Sequence, residues 1–252
     1  MSTGRVEFGP HYVRSLKVYA AGRPISAIAR EYSLDENDIL KLASNENPLG
    51  MSASARRAIE AVASSGTAAY PDPDAFELKT AIEAVFQVPR SWITIGNGSN
   101  DLLEMAVKAF VEKGQSAIVS QYAFSAYLLA IAGVDARAIV VPARNFGHDL
   151  DAMLDAIEPD TKLIFIANPN NPTGTFCAPQ EIRRFLERVP EDIIVVLDEA
   201  YAEYLLDEQH TDIADLVAEH GNLIVVRTFS KAYALAACAS DLQWPRSIFL
   251  SY

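Results

Sequence analysis

Three short apolar runs limit what this chain can fold into: Lys162-Leu-Ile-Phe-Ile166, Asp192-Ile-Ile-Val-Val-Leu197 and Asn222-Leu-Ile-Val-Val226. They recur at about the 30-residue spacing of a strand–helix–strand unit. Each is continuously apolar rather than alternating, the pattern of parallel strands covered by helices on both faces. Between the first two, Pro179 to Val189 predicts a helix whose apolar face is Ile182, Phe185, Leu186 and Val189, with Pro179 in the first turn. Ile213, Leu216 and Val217 form a similar face before the third run, and Gly221 ends that helix. Upstream, strands are predicted at Ser116–Val119, Ala136–Val141 and Trp92–Ile95, and helices at Ala75–Phe86, Asn100–Val111 and Phe124–Gly133. Residues 1–50 have weak periodicity and read as an arm laid over another surface. The fold class is α/β, a doubly wound and mostly parallel sheet.

Composition narrows the function. With 21 Lys plus Arg against 33 Asp plus Glu, the net charge of -12 argues against a basic stripe for nucleic acid. Gly114 to Val134 carries no charge, but Gln115, Ser116, Ser120, Gln121 and Ser125 interrupt it, so it reads as a buried strand entering a helix rather than a membrane span. The first ten residues lack the apolar run of a signal peptide. Cys177 and Cys238 cannot build a disulfide framework, and a reducing, cytoplasmic setting is expected. The four histidines, His11, His148, His210 and His220, show no metal-ligand spacing, so surface or packing roles and no metal are expected.

In such sheets ligands bind beyond the C-terminal ends of the strands, where this chain concentrates its unusual residues. Ala167-Asn-Pro-Asn-Asn-Pro-Thr-Gly174 follows the first run, Asp198-Glu-Ala-Tyr201 the second and Arg227-Thr-Phe-Ser-Lys231 the third. Singly, these are ordinary turns, caps and solvated charges. On consecutive strand ends they converge on one crevice. A lysine, a carboxylate, a phenol and an Asn amide together suit pyridoxal phosphate (PLP), which needs an amine for its aldehyde and an acid for its pyridine nitrogen. Gly96-Asn-Gly-Ser-Asn100, opening a helix, suits the phosphate, because free N–H groups and the positive dipole end face an anion. Tyr122, Phe124 and Tyr127 are candidates for an aromatic face against the ring.

These residues resemble a known family. Asn171-Pro-Thr-Gly174, Asp198-Glu-Ala-Tyr201 and Thr228-Phe-Ser-Lys-Ala-Tyr233 are similar to the signature blocks of fold-type I, class I/II PLP-dependent aminotransferases. Lys41-Leu-Ala-Ser-Asn-Glu-Asn-Pro48, Tyr70-Pro-Asp-Pro73 and Gly96-Asn-Gly-Ser99 resemble the histidinol-phosphate aminotransferase branch. The resemblance runs from about Leu40 to Ala236 and implies the PLP-binding large domain of that fold. It implies that Lys231 holds the cofactor aldehyde as a Schiff base and shuttles the proton between substrate Cα and cofactor C4′. Asp198 would pair with the ring nitrogen, Tyr201 and Asn171 would bond the ring oxygen, and Phe124 would stack on the ring. The main chain of Ser99 and Asn100, with the Ser230 hydroxyl, would hold the phosphate, although the family has an acidic residue where Asn100 stands. Tyr70 would reach the cofactor phosphate of a partner subunit, implying a homodimer. Substrates would be a small-molecule amino donor and a 2-oxo acid: histidinol phosphate with 2-oxoglutarate, giving imidazole acetol phosphate and glutamate in histidine biosynthesis. An aromatic-amino-acid aminotransferase and a non-catalytic remnant are the alternatives.

The resemblance fails after Lys231. The family continues with a small-residue helix, a cofactor-binding arginine and a further strand, then a C-terminal domain; here Ala239 stands where the arginine is expected. Codons compatible with Cys238 to Pro245, shifted by one base, spell Leu-Arg-Val-Gly-Leu-Ala-Met-Ala, which restores the family text. The expectation is an N-terminal arm at 1–45, an incomplete large domain at 46–237 and an out-of-frame tail at 238–252. A sheet lacking its last strand, with no small C-terminal domain, would expose strand edges, and this chain is expected to be poorly soluble and without transaminase activity.

Overall fold

The apolar runs form the centre of a parallel sheet. The computed structural model describes residues 8–16, 22–65, 69–238 and 248–251. Residues 1–7, 17–21, 66–68, 239–247 and 252, which include Ala239 and most of the expected tail, lie outside them. In chain order the elements are α1 (His11–Arg14), α2 (Ile25–Tyr32), α3 (Ala53–Ser65), α4 (Phe76–Phe86), β1 (Ile93–Gly96), α5 (Gly98–Phe110), β2 (Ser116–Ser120), α6 (Ser125–Gly133), β3 (Arg137–Val141), α7 (Leu150–Asp155), β4 (Thr161–Ala167), α8 (Pro179–Leu186), β5 (Ile194–Asp198), α9 (Ile213–Glu219), β6 (Leu223–Thr228) and β7 (Ile248–Ser251). The sheet order is β1-β7-β6-β5-β4-β2-β3, with every pair parallel.

Continuous apolarity in the strands now has its reason, since each run feeds two cores. Leu163, Phe165 and Ala167 of β4 face one side with Val196, Ile224, α5 and α6, while Ile164 and Ile166 face the other with Val195, Leu197, α7, α8 and α9. Either face left in water would forfeit about 25 cal/mol for each Å² of apolar area.

Two differences from the sequence reading matter. A seventh strand is present: Ile248–Ser251 lies between β1 and β6 and runs parallel to both. The expectation that the sheet lacks its last strand is therefore corrected. Two facing strands otherwise leave two rows of unpaired N–H and C=O groups, which a short extended segment satisfies at once. The other difference is α3, which was not anticipated. Its alanine-rich sequence has good helix propensity, but it lies almost wholly exposed, with Ile59 and Val62 in solvent, so no buried stripe announced it.

The turn from β1 into α5 positions the front of the crevice. α5 begins at Gly98, two residues before the predicted Asn100, because the Asp101 carboxylate reaches back to accept the Asn97 N–H at 3.0 Å. Gly98 adopts φ +77°, a conformation that suits glycine. A Cβ on Gly96 would lie 2.6 Å from Leu102 Cδ2 and 2.9 Å from its Cγ. Since Leu102 is fully buried, it has no room to yield, and Gly96→Ala should cost about 1–3 kcal/mol by overpacking. Thermal unfolding should show this loss, with much of it recovered in Gly96→Ala/Leu102→Ala relative to Leu102→Ala alone.

Candidate active site

The strand ends bring the sequence-predicted residues to one edge of the sheet. Ala167, Asp198 and Val226 sit level across β4, β5 and β6, so the loops carrying Asn171 and Tyr201 leave the sheet at one height and the loop with Ser230 and Lys231 follows two residues beyond, after Thr228. α5, which starts beyond β1, packs across β6 and β7. That places Ser99 and Asn100 in a first helical turn whose N–H groups have no carbonyl one turn earlier.

Asp198 is the anchor. It is only 6% exposed, and Ala200 donates its N–H to Oδ1 at 3.1 Å while the Tyr127 hydroxyl donates to Oδ2 at 2.7 Å. Burial pushes the Asp198 pKa above the usual carboxylate range; these two donors and the Lys231 charge oppose that rise. Tyr127 itself is fully buried, stacked on Phe165 at 4.4 Å between centroids. Burial first, then the Asp198 charge, drives its phenol pKa well above 10, so it stays protonated and donates.

Lys231 is half-buried. Its Nζ donates to the Ser44 carbonyl at 3.0 Å and lies 5.9 Å from the centre of the Tyr201 ring. Burial lowers its pKa, against the raising pull of Glu46 and Asp198. Burial thus raises the carboxylate and lowers the amine, which narrows the gap between their pKa values. Tyr201 and Asn171 line a cleft of about 530 Å³ together with Asn45 and Glu46 from the arm. The Tyr201 hydroxyl accepts from Asn45 Nδ2 at 2.9 Å. Phe124 precedes α6 and meets Tyr127 edge-on at 5.9 Å. Ser230 is partly buried, and its N–H donates to Thr228 Oγ1 at 3.1 Å. Tyr70 stands apart, 99% exposed.

Three features were not legible beforehand. Tyr127 was a candidate ring face, yet it lies beneath Asp198 as a hydrogen-bond donor. The arm enters the crevice through Ser44, Asn45 and Glu46. Arg227, buried at the end of β6, donates to Glu199 Oε2 at 2.9 Å and to Glu203 Oε1 at 3.1 Å, tying the loop after β5 to the strand that delivers Lys231. Burial raises the Glu199 pKa, with Arg227 opposing. Glu199 and Arg227 stand in two of the motif blocks, but nothing in the sequence pairs one block with the other. His148 has a packing role: it is buried, with Nε2 2.9 Å from the Ala167 carbonyl.

The class I and II aminotransferase family model matches residues 37–240. The chain belongs to that family. It is 57% identical over 231 residues to histidinol-phosphate aminotransferase 2 of Ralstonia nicotianae, covering 92% of this chain and 62% of that protein. It is 56% identical over 233 residues to histidinol-phosphate aminotransferase 1 of Cupriavidus pinatubonensis, with the same coverage of each. The crystal structure of histidinol-phosphate aminotransferase from Sinorhizobium meliloti in complex with pyridoxal-5'-phosphate superposes with a TM-score of 0.81 at 29% identity, covering 94% of this chain and 62% of that one. The chain thus spans about 62% of the length of these curated relatives. Among the described residues, no helix of this aminotransferase-family chain is long and apolar enough to cross a membrane.

The raised Asp198 pKa has a pH signature. The native chain keeps this proton to higher pH than the unfolded chain, so stability falls as pH rises from about 4 through the native pKa. Asp198→Asn removes that slope, and its advantage over the native sequence should grow with pH in thermal unfolding. Tyr127→Phe strips one donor from the carboxylate and should cost about 2 kcal/mol at neutral pH, shrinking in acid where Asp198 is protonated.

Proposed function

We propose that this chain holds PLP at Lys231 and forms the cofactor-binding part of an aminotransferase acting on histidinol phosphate and 2-oxoglutarate. One observation carries the reading: a buried, doubly hydrogen-bonded carboxylate, Asp198, and a lysine of lowered pKa, Lys231, lie close enough that the charge of each acts on the other. The residues fit the cofactor's chemistry. Asp198 would keep the ring nitrogen protonated, Tyr201 and Asn171 would bond the ring oxygen from the cleft wall, and Phe124 would cover the ring. The first turn of α5 at Ser99 and Asn100, with Ser230, would receive the phosphate; Asp101 already occupies the Asn97 N–H there. When bound, the cofactor supplies an electron sink for the charge left on substrate Cα.

Lys231 has two tasks in this reading. Its amine binds the aldehyde, and once displaced by the substrate amine it takes the proton from substrate Cα and delivers it to cofactor C4′. The lowered pKa leaves a larger share of the amine neutral, which both tasks require. Amino transfer then moves –NH₂ from histidinol phosphate to 2-oxoglutarate, giving imidazole acetol phosphate and glutamate. The names and identities of the Ralstonia and Cupriavidus relatives support this donor. Turnover by these 252 residues alone is proposed to be impaired, with 1–45 acting as an arm, 46–237 as the large domain and 238–252 as an out-of-frame tail.

A second copy of the chain is the proposed partner. Leu40, Leu42 and Leu49 are 79%, 85% and 91% exposed, and with Tyr70, Ile59 and Val62 they give the arm and α3 more apolar surface than water favours. The cytoplasm is the proposed compartment. Cys177 is a free thiol, and burial pushes its pKa to about 11, which keeps it unreactive.

Adding PLP should produce a visible absorbance band that borohydride fixes covalently on the peptide containing Lys231. Lys231→Ala should lose both the band and the label. Failure of the unaltered chain to give a Lys231-dependent band refutes cofactor attachment; a band without turnover of histidinol phosphate makes the chain a non-catalytic remnant.

A further inference from the structure

We infer that Asn45 is a positioning residue that fixes which way the Tyr201 hydroxyl hydrogen-bonds, so that the phenol serves a bound ligand as a donor. The inference rests on the reading above, in which Tyr201 faces an anionic ring oxygen.

Asn45 is brought in by a strap, Ser44 to Asn47, that crosses the crevice. Ser44 and Asn45 adopt φ +72° and +50°, two consecutive non-glycine residues in the left-handed region. Two such residues in a row persist where surrounding contacts hold them. Here two contacts come from the loop after β6 and one from the strap's own neighbour. Lys231 Nζ donates to the Ser44 carbonyl at 3.0 Å, Asn47 Nδ2 donates to the Ala232 carbonyl at 2.7 Å, and Asn47 Oδ1 accepts the Leu49 N–H at 2.9 Å. The strap therefore holds the Asn45 amide 2.9 Å from the Tyr201 hydroxyl on the cleft wall.

The polarity of that bond decides the chemistry. An amide N–H only donates, so in this bond the phenol oxygen accepts, and its single hydrogen serves a different acceptor. A ring oxygen carrying negative charge is such an acceptor, and a charge-assisted bond to it is among the stronger hydrogen bonds a protein makes. A carboxylate at position 45 would reverse the arrangement. It accepts only, so it would draw the phenol hydrogen toward itself and set a negative charge beside the ligand oxygen.

Asn45→Asp tests this with little change of shape, because Asp also tolerates the left-handed region. Two quantities report: the PLP dissociation constant, and the pH midpoint of the visible absorbance change of lysine-linked PLP. Asn45→Asp should weaken PLP binding about tenfold and move the midpoint by about one pH unit, and Asn45→Ala should do less. The deciding arm repeats Asn45→Asp in a Tyr201→Phe background. If Asn45 acts through the phenol, most of the effect vanishes there. An undiminished effect overturns the inference, as does an Asn45→Asp chain, shown folded by its thermal transition, with unaltered affinity and midpoint. The functional reading fails separately, by the unaltered chain giving no band that Lys231→Ala removes.

Discussion

A buried carboxylate sets the terms for the rest of the crevice. Asp198 ends β5 level with the end of β4 and with Val226 of β6, and burial alone pushes it toward its neutral form. Two fixed donors, the Ala200 N–H and the Tyr127 hydroxyl, and the charge of Lys231 hold against that tendency. Each comes from a different part of the fold: the turn after β5, the first turns of α6, and the loop after β6. An unsupported buried carboxylate would cost several kcal/mol, so these elements have to arrive together. The stacking of Tyr127 on Phe165 ties that support to the core beneath the sheet.

Lysine and carboxylate are tuned by the same burial in opposite directions. Loss of water disfavours charge on both, raising the acid and lowering the base. In the proposed reaction the narrowed separation would serve Lys231, which would act as an amine at one moment and an ammonium at the next. The arm completes the enclosure, since Ser44 accepts from Lys231 and Glu46 contributes charge to it. A second charged cluster lies behind the first. Arg227 bridges Glu199 and Glu203, and so binds the loop bearing Tyr201 to the strand bearing Lys231.

The family and the crevice proposed to hold PLP were legible because their residues sit in short, contiguous blocks. Asn171-Pro-Thr-Gly174, Asp198-Glu-Ala-Tyr201 and Thr228-Phe-Ser-Lys231 each follow a strand, and the geometry of a parallel sheet brings successive strand ends together without further instruction. The strands themselves were legible because a parallel strand buried on both faces is apolar throughout. α3 was not, because it buries no face; nor was the seat of β7, because which segment fills a sheet gap depends on what lies within reach of two unpaired edges.

Sequence alone therefore determined the strand runs, the motif blocks and the candidate cofactor residues, all of which depend on local composition and on spacing along the chain. Tertiary structure decided the pairings across distance: Tyr127 beneath Asp198, Asn45 against Tyr201, the Ser44 carbonyl on Lys231, and Arg227 between two carboxylates. Those partners are separated by between 24 and 187 positions. A hydrogen bond reaches only about 3 Å, so no periodicity in the chain can specify it, and only the packed sheet and its crossing arm bring donor and acceptor together.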